Sequence, residues 1–401
     1  MLKSITVLIL VGLLSPLLSF DVNEQEGTCK PTIDFYADNL VSAEIAGQGY
    51  AGVADIGDIS FSNLNPASFE IKNDAQFYYE YGIKNNVNLF SDIITDGNKT
   101  TEYKSGVSAA FAYKFSDYVR AGVIYTAKSS YSIDMGEVYN THNGEIVETF
   151  EISEKRYINS VNVPISYVLD KFRFGIGLNL DIYHSEVNNV YTSYNNIWEG
   201  FNGELNFLLF QPKLGAIYSP IQNFNFGLSL LVPVEKDLTT NCGMFVLDFE
   251  KNKFPMEIAF GTKYTNTVVP ISVLFDFSHK HYSDLPEFVD SNNFHLGLEY
   301  KLMEKLHLRT GMFTKFDVRN TDYMFTNNAG DEFEYWADSD TYEDRKYVTF
   351  GMSYFWKRTE INLAVVDNSF LTDGDIKQTY AKLGFTIQLA HPEYLFIKSL
   401  K

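Results

Sequence analysis

The sequence predicts an all-β chain: an antiparallel transmembrane β-barrel of about 14 strands with an irregular N-terminal plug segment. Three observations carry this. Apolar and polar residues alternate with period two over stretches long enough to cross a membrane. Long and short connections take turns between those stretches. An export signal precedes them, and the chain is rich in aromatics, with 27 Tyr and 33 Phe among 401 residues.

The N-terminus has one basic residue, Lys3, an apolar run from Ile5 to Leu18, and then Ser19-Phe20-Asp21. A short apolar core between a positive residue and a small one is the pattern of a secretory signal. It is too short for a comfortable membrane helix. Cleavage is expected near Ser19, and export from there. The expected division is 1–19 signal peptide, 20–74 plug segment, 75–389 barrel and 390–401 C-terminal tail. Cys29 and Cys242 are the two cysteines. A disulfide is chemically permitted after export, but the topology places them near opposite membrane faces, so they are expected to be unpaired. Cys29 follows Glu26-Gly27-Thr28 rather than small apolar residues, which argues against lipidation.

The formal net charge is -19. Nothing in that balance neutralises phosphates, so a nucleic-acid partner is not expected. After residue 20 no run approaches the ~18 apolar residues of a membrane helix. Alternation recurs instead. Tyr103, Ser105, Val107, Ala109, Phe111, Tyr113 and Phe115 interleave with Lys104, Gly106, Ser108, Ala110, Ala112 and Lys114. Phe172, Phe174, Ile176, Leu178, Leu180 and Ile182 interleave with Arg173, Gly175, Gly177, Asn179 and Asp181. Such segments fall near 75–90, 103–116, 118–135, 155–169, 171–190, 204–219, 222–236, 253–266, 268–282, 291–302, 304–318, 345–357, 359–369 and 376–389. Many reach the ~9–11 residues of a tilted membrane strand.

Tight turns are predicted near Ser116-Asp117, Asp170, Pro220-Ile221, Asn266, Met303-Glu304 and Lys357-Arg358. Long polar connections are predicted near 91–102, 137–154, 191–203, 237–252, 283–290 and 319–344. Outer-membrane barrels have short periplasmic turns and longer external loops, so the rhythm orients the barrel and places both ends in the periplasm. The acidic stretches Asp331-Glu332-Phe333-Glu334 and Asp338 through Asp344 read as solvated outer loop. Oxygen-rich loops also suit calcium, but their spacing matches no EF-hand.

Residues 21–74 do not alternate. They contain Ala46-Gly-Gln-Gly-Tyr-Ala-Gly52, then Val53-Ala-Asp-Ile-Gly-Asp58, then Asn65-Pro66-Ala67. The glycines lack the preceding strand and full spacing of a nucleotide-binding loop. Small residues at close intervals permit close backbone packing. Pro66 fixes its own φ and biases Asn65 away from helix. A lumen this wide needs a plug or it leaks.

In this order and position, Ala46, Gly47, Gly49, Ala51, Gly52, Ala54, Asp58, Asn65, Pro66 and Ala67 make the chain resemble the FadL-type outer-membrane transporters of long-chain fatty acids and other hydrophobic compounds. The PorV/PorQ-like proteins of type IX secretion share this opening. The resemblance implies an N-terminal hatch inside the barrel, with the Asn65-Pro66-Ala67 turn near a side opening. It implies an apolar ligand captured outside and released sideways beside a kinked third strand. Gly122 and the pair Ser129-Ser130 lie in that strand and would permit a kink. The implied partners are outer-membrane lipid and a hydrophobic small molecule, or, on the alternative, a secreted protein or secretion complex. A mainly structural barrel is the third alternative.

An enzyme is not expected. His184 and Ser185 are adjacent, so on a strand they point to opposite faces. No Gly-x-Ser-x-Gly motif is present. His279 and His281 share a strand face and read as ordinary interfacial histidines; no metal and no cofactor is expected. By parity the lumen face carries Lys104, Arg173, Asp181, Glu257, Lys263, Asp276, Glu299, Arg309 and Lys382, charges that need partners if buried. Tyr183, Phe313 and Tyr380 also face inward and are candidates to line an apolar patch.

Overall fold

The computed structural model describes residues 42–85, 100–103, 106–142, 145–193, 196–198, 202–236, 252–282, 285–286, 288–320, 322–326, 332–334, 344–371 and 377–389. The signal peptide, Cys29, Cys242, Lys104 and the C-terminal tail lie outside them. Fourteen strands form the wall. They are β1 (Ala75–Lys84), β2 (Gly106–Lys114), β3 (Val119–His142), β4 (Glu145–Leu169), β5 (Phe172–Ser193), β6 (Asn202–Ile221) and β7 (Phe224–Leu231). The rest are β8 (Met256–Thr265), β9 (Ile271–His281), β10 (Ser291–Met303), β11 (Leu306–Lys315), β12 (Arg345–Trp356), β13 (Thr359–Asp367) and β14 (Thr379–Leu389). Each pairs antiparallel with its sequence neighbours, and β1 pairs with β14, so the sheet closes and leaves no edge. Among the described residues no helix is long and apolar enough to cross a membrane.

Alternation becomes two faces. On β5 the outward Phe172, Phe174, Ile176 and Leu178 are exposed, whereas Asp181 on the other face is buried. Exposed apolar side chains recur on strand after strand, from Tyr79 and Tyr81 to Val365. A contiguous exposed apolar surface of this extent is what a bilayer covers. At the short-turn end sit exposed rings, including Phe115, Tyr118, Tyr218 and Trp356, with Phe172 stacked on Tyr218 at 4.7 Å. Such rings form the interfacial girdle of membrane barrels.

The predicted turns hold within one or two residues. Asp170 and Lys357 take left-handed φ of 50° and 56°, which lets two residues reverse the chain. The long-loop end needs a correction. Residues 137–154 are mostly strand, because β3 and β4 continue to His142 and from Glu145. Likewise β5 runs to Ser193, and Asn196–Trp198 pairs with it. Within 319–344, Met324–Thr326 and Glu332–Glu334 form a small hairpin. In these segments the backbone ladder continues without the apolar alternation that marks a strand in sequence.

Residues 42–74 run through the lumen. Ser42 caps the short helix α1 (Ala43–Gly47), its side chain accepting from Ile45 N at 3.4 Å. Asp58 caps a 3₁₀ turn over Ile59–Asn63 in the same way, accepting from Ser60 N at 2.9 Å.

Candidate functional site: hatch, lumen aromatics and the break in the third strand

The hatch lies against a belt of wall glycines. Gly351 of β12 opposes Gly47 so closely that a Cβ on Gly47 would stand 2.7 Å from Gly351 Cα. A Cβ on Gly311 would stand 2.5 Å from Gly49 N, and one on Gly297 2.5 Å from Gln48 O. Gly227 and Gly261 accept Val53, and Gly175 and Gly215 accept the Asn65-Pro66-Ala67 turn. Backbone therefore packs on backbone, and any side chain at these positions would lift the hatch. Gly49 itself has φ of 69°, a conformation glycine adopts without steric cost.

Between the glycines, polar groups anchor the hatch to successive strands. Arg309 on β11 meets Glu44 at 2.6 Å and Glu299 at 2.7 Å. Thr349 on β12 accepts from Gly49 N at 2.9 Å and donates to Gly47 O at 3.1 Å. Asp276 on β9 accepts from Gly52 N at 2.6 Å and Val53 N at 2.8 Å. Lys263 on β8 pairs with Asp55, and Thr386 on β14 donates to Asp58. Glu70 takes Arg120 of β3 at 2.7 Å and Arg173 of β5 at 2.6 Å. Burial pushes the Asp58 carboxyl above its ordinary value, more than the bonds from Ser60 and Thr386 lower it. Burial likewise raises Glu44 despite the Arg309 guanidinium, which Glu299 shares.

The parity-derived lumen charges that are described all face inward onto partners. Asp181 meets Lys128 at 2.7 Å, Glu257 meets Lys280 at 3.5 Å, and Lys382 meets Glu80 at 2.8 Å. The hatch side of these pairs was missed: Glu44, Asp55 and Glu70 were not singled out. A signal existed, since an acidic hatch faces a wall whose inward residues include Arg120, Arg173, Lys263 and Arg309.

The three lumen aromatics separate into two groups. Phe313 and Tyr380 join a buried cluster with Tyr50, Tyr347, Ile45, Phe61 and Val366. Tyr50 meets Phe313 edge-on at 5.1 Å, and Phe313 stacks on Tyr347 at 4.6 Å. Tyr183 belongs elsewhere, stacked on Phe207 at 4.3 Å beside Leu209, Val234 and Phe254. One apolar surface is thus built on the hatch itself and the other on the β5–β6 wall.

The third strand runs unbroken through Gly122, but its ladder with β4 is interrupted there. The β3–β4 ladder pairs Ala121 with Ile165 and resumes with Ile124 and Asn162. Gly122 and Val123, opposite Val163 and Pro164, are skipped. Pro164 has no N–H to give, and a proline inside a central strand removes a ladder bond. The same proline keeps its place opposite Gly177 on β5. Further up, the register shifts between Ala127 and Ser129, leaving Lys128 as an extra residue, and the ladder resumes with Ser129 opposite Ile158 and Ser130 opposite Tyr157. Among the described residues, every other neighbouring pair is continuous except beside the turns at Tyr218–Ile221 and Lys301–Met303. Pro164 was legible as an anomaly in a strand-like segment, yet only Gly122 and the serines were noted.

The Asn65-Pro66-Ala67 turn packs on β5 and β6, one strand over from this break, and covers Gly177, the ladder partner of Pro164. Asn65 Oδ1 accepts from Ala67 N at 3.0 Å, and its Nδ2 donates to Val53 O at 2.7 Å and to Ala216 O at 3.2 Å. Pro66 and Asn162 both approach Gly177. On β4, flanking the break, the Asn162 amide and the Ser166 hydroxyl are buried with no protein hydrogen-bond partner. Polar groups so placed call for ordered water.

No protein-family model and no curated protein sequence matches the chain. Solved structures match its fold. A deletion mutant of the TodX monoaromatic hydrocarbon channel aligns with a TM-score of 0.64 at 15% identity, over 87% of this chain and 99% of that one. A Pseudomonas aeruginosa FadL homologue aligns with a TM-score of 0.61 at 11% identity, over 88% and 100%. The Ralstonia pickettii toluene transporter TbuX aligns with a TM-score of 0.58 at 13% identity, over 88% and 99%. The chain has the fold of the FadL-type barrels.

Proposed function

We propose that the chain is an outer-membrane channel for small hydrophobic compounds, plugged by its hatch and discharging sideways between β3 and β4. The observation that carries this is the ladder break at Gly122–Val123, opposite Val163–Pro164, beside the hatch turn. A hatch seated on glycines and ion pairs obstructs the path along the barrel axis. An apolar solute needs a dry surface rather than an aqueous channel, and two buried apolar clusters in the lumen, Tyr50–Phe313–Tyr347–Tyr380 and Tyr183–Phe207–Phe254, support this reading. A gap in the wall then delivers the solute into the bilayer, where it is soluble. Outer-membrane location follows from the same reading and from the fold shared with TodX, TbuX and the FadL homologue.

The test compares uptake of labelled toluene and of a labelled long-chain fatty acid by cells with and without the protein. Pro164→Val restores the missing N–H and lets the ladder close. Wild type should raise uptake of at least one compound, and Pro164→Val should lower it several-fold at equal surface level. No uptake above empty cells for either compound would refute transport. Full uptake by the variant would refute the lateral route.

A further inference from the structure

His279 and His281 lie on the face of β9 opposite Asp276, so they point away from the lumen. They stand at the long-loop end, above the exposed Val273 and Phe275. Sequence spacing gave only two rings on one face. The fold adds a third group, because the connection to β10 returns Asp290 to the same spot.

Asp290 is held from behind: Tyr282 N donates to its Oδ1 at 2.7 Å. That leaves Oδ2 facing both histidines, 3.2 Å from His281 Nδ1 and 3.8 Å from His279 Nε2. The three candidate ligand atoms lie within 4.8 Å of one another. Zinc binds imidazole nitrogen and carboxylate oxygen at about 2.0–2.2 Å in a tetrahedron, which sets ligand atoms roughly 3.3 Å apart. The two measured edges bracket that figure. His279 is also oriented, since its Nδ1 lies 2.9 Å from Asn292 Oδ1, the residue it pairs with across the β9–β10 ladder. A hydrogen on Nδ1 leaves the Nε2 lone pair turned toward Asp290. Carboxamide support behind a ligating imidazole is how outer groups fix the tautomer a metal needs.

We propose that His279, His281 and Asp290 form a divalent transition-metal site of the zinc class on the outer wall of the barrel. The donor set of two imidazoles and one carboxylate suits zinc, whereas calcium and magnesium prefer oxygen ligands. All three side chains are about a third exposed, at 31%, 38% and 32%. An ion therefore enters without unfolding and keeps one position open to solvent. The site is separate from the hatch and from the β3–β4 break.

The test is calorimetric titration of zinc chloride into the full, untagged protein in detergent after removal of metal with a chelator. Wild type should bind one zinc per chain, undisturbed by excess calcium or magnesium. His279→Ala and His281→Ala should each weaken binding by roughly a hundredfold or more, and Asn292→Ala by roughly 10–100-fold. Heat-modifiable mobility on electrophoresis checks that each variant is a folded barrel. Absence of stoichiometric zinc binding by wild type overturns the proposal. So does equal binding by folded His279→Ala and His281→Ala variants, which would place the zinc elsewhere.

Discussion

Asp276→Ala probes the latch of the hatch. One carboxylate oxygen accepts from two consecutive amides, Gly52 N at 2.6 Å and Val53 N at 2.8 Å. Leaving a buried donor unsatisfied costs about 1–3 kcal/mol, so removing the acceptor of both amides costs roughly 2–6 kcal/mol. At about 1.4 kcal/mol per tenfold, local opening of the segment around Gly52 becomes roughly 30 to 10⁴ times more frequent. The assay is amide hydrogen exchange of the peptide covering residues 49–57 in the detergent-solubilised barrel. Asp276→Asn keeps an acceptor oxygen, so its exchange should stay below that of Asp276→Ala. The other anchors, including Glu44–Arg309 and Asp55–Lys263, should keep the rest of the hatch seated. Less than tenfold acceleration in Asp276→Ala would show that the two amides are not held by this carboxylate.

Other perturbations follow from the same contacts. Gly311→Ala places a Cβ against Gly49 N and Gln48 C, so the hatch must shift, and single-channel conductance in planar bilayers should rise above wild type. Glu70→Gln weakens a clamp joining β3 to β5 across β4; uptake through the break should increase while the thermal midpoint falls, and unchanged uptake would count against the clamp. Lys382→Met leaves Glu80 buried without its cation and should cost roughly 3–5 kcal/mol, read from the denaturant midpoint. Adding Glu80→Gln should recover much of that loss. The Asp58 carboxyl sits above its ordinary value of 3.8, so the fold binds its proton more tightly than the unfolded chain does. Its stabilising contribution is complete below pH 3.8 and is lost as pH rises through the folded value. The stability of wild type relative to Asp58→Asn should therefore grow as pH falls through that window. A difference independent of pH would refute the assignment.

The wall was legible because a bilayer forces period two on every strand. Phe172, Phe174, Ile176 and Leu178 face one solvent and Arg173, Gly175, Gly177 and Asn179 the other, so parity alone gave the inward charges. The same rule failed where its cause ended. Residues 137–154 pair as strands without period-two alternation, and nothing in their sequence separates such a hairpin from a loop. His279 and His281 were visible as a pair, but Asp290 joins them only through the return of the chain into β10.

The hatch shows why its partners were hard to read. It has one short helix and one 3₁₀ turn, so no period specifies its path. Specification comes instead from groups spaced along it, each reaching a different strand: Glu44 to β11, Gly49 to β12, Gly52 and Val53 to β9, Asp55 to β8, Asp58 to β14, Asn65 to β6 and Glu70 to β3 and β5. Glycines between these anchors let the backbone come close enough for the bonds to form. An irregular plug held this way has one seat, because any rotation breaks several bonds together. Its last anchor, Glu70, grips the strands on either side of β4, the strand whose Pro164 interrupts the wall. Seat and break are therefore close neighbours: the Asn65-Pro66-Ala67 turn packs on Gly177, the ladder partner of Pro164, and Glu70 binds both β3 and β5.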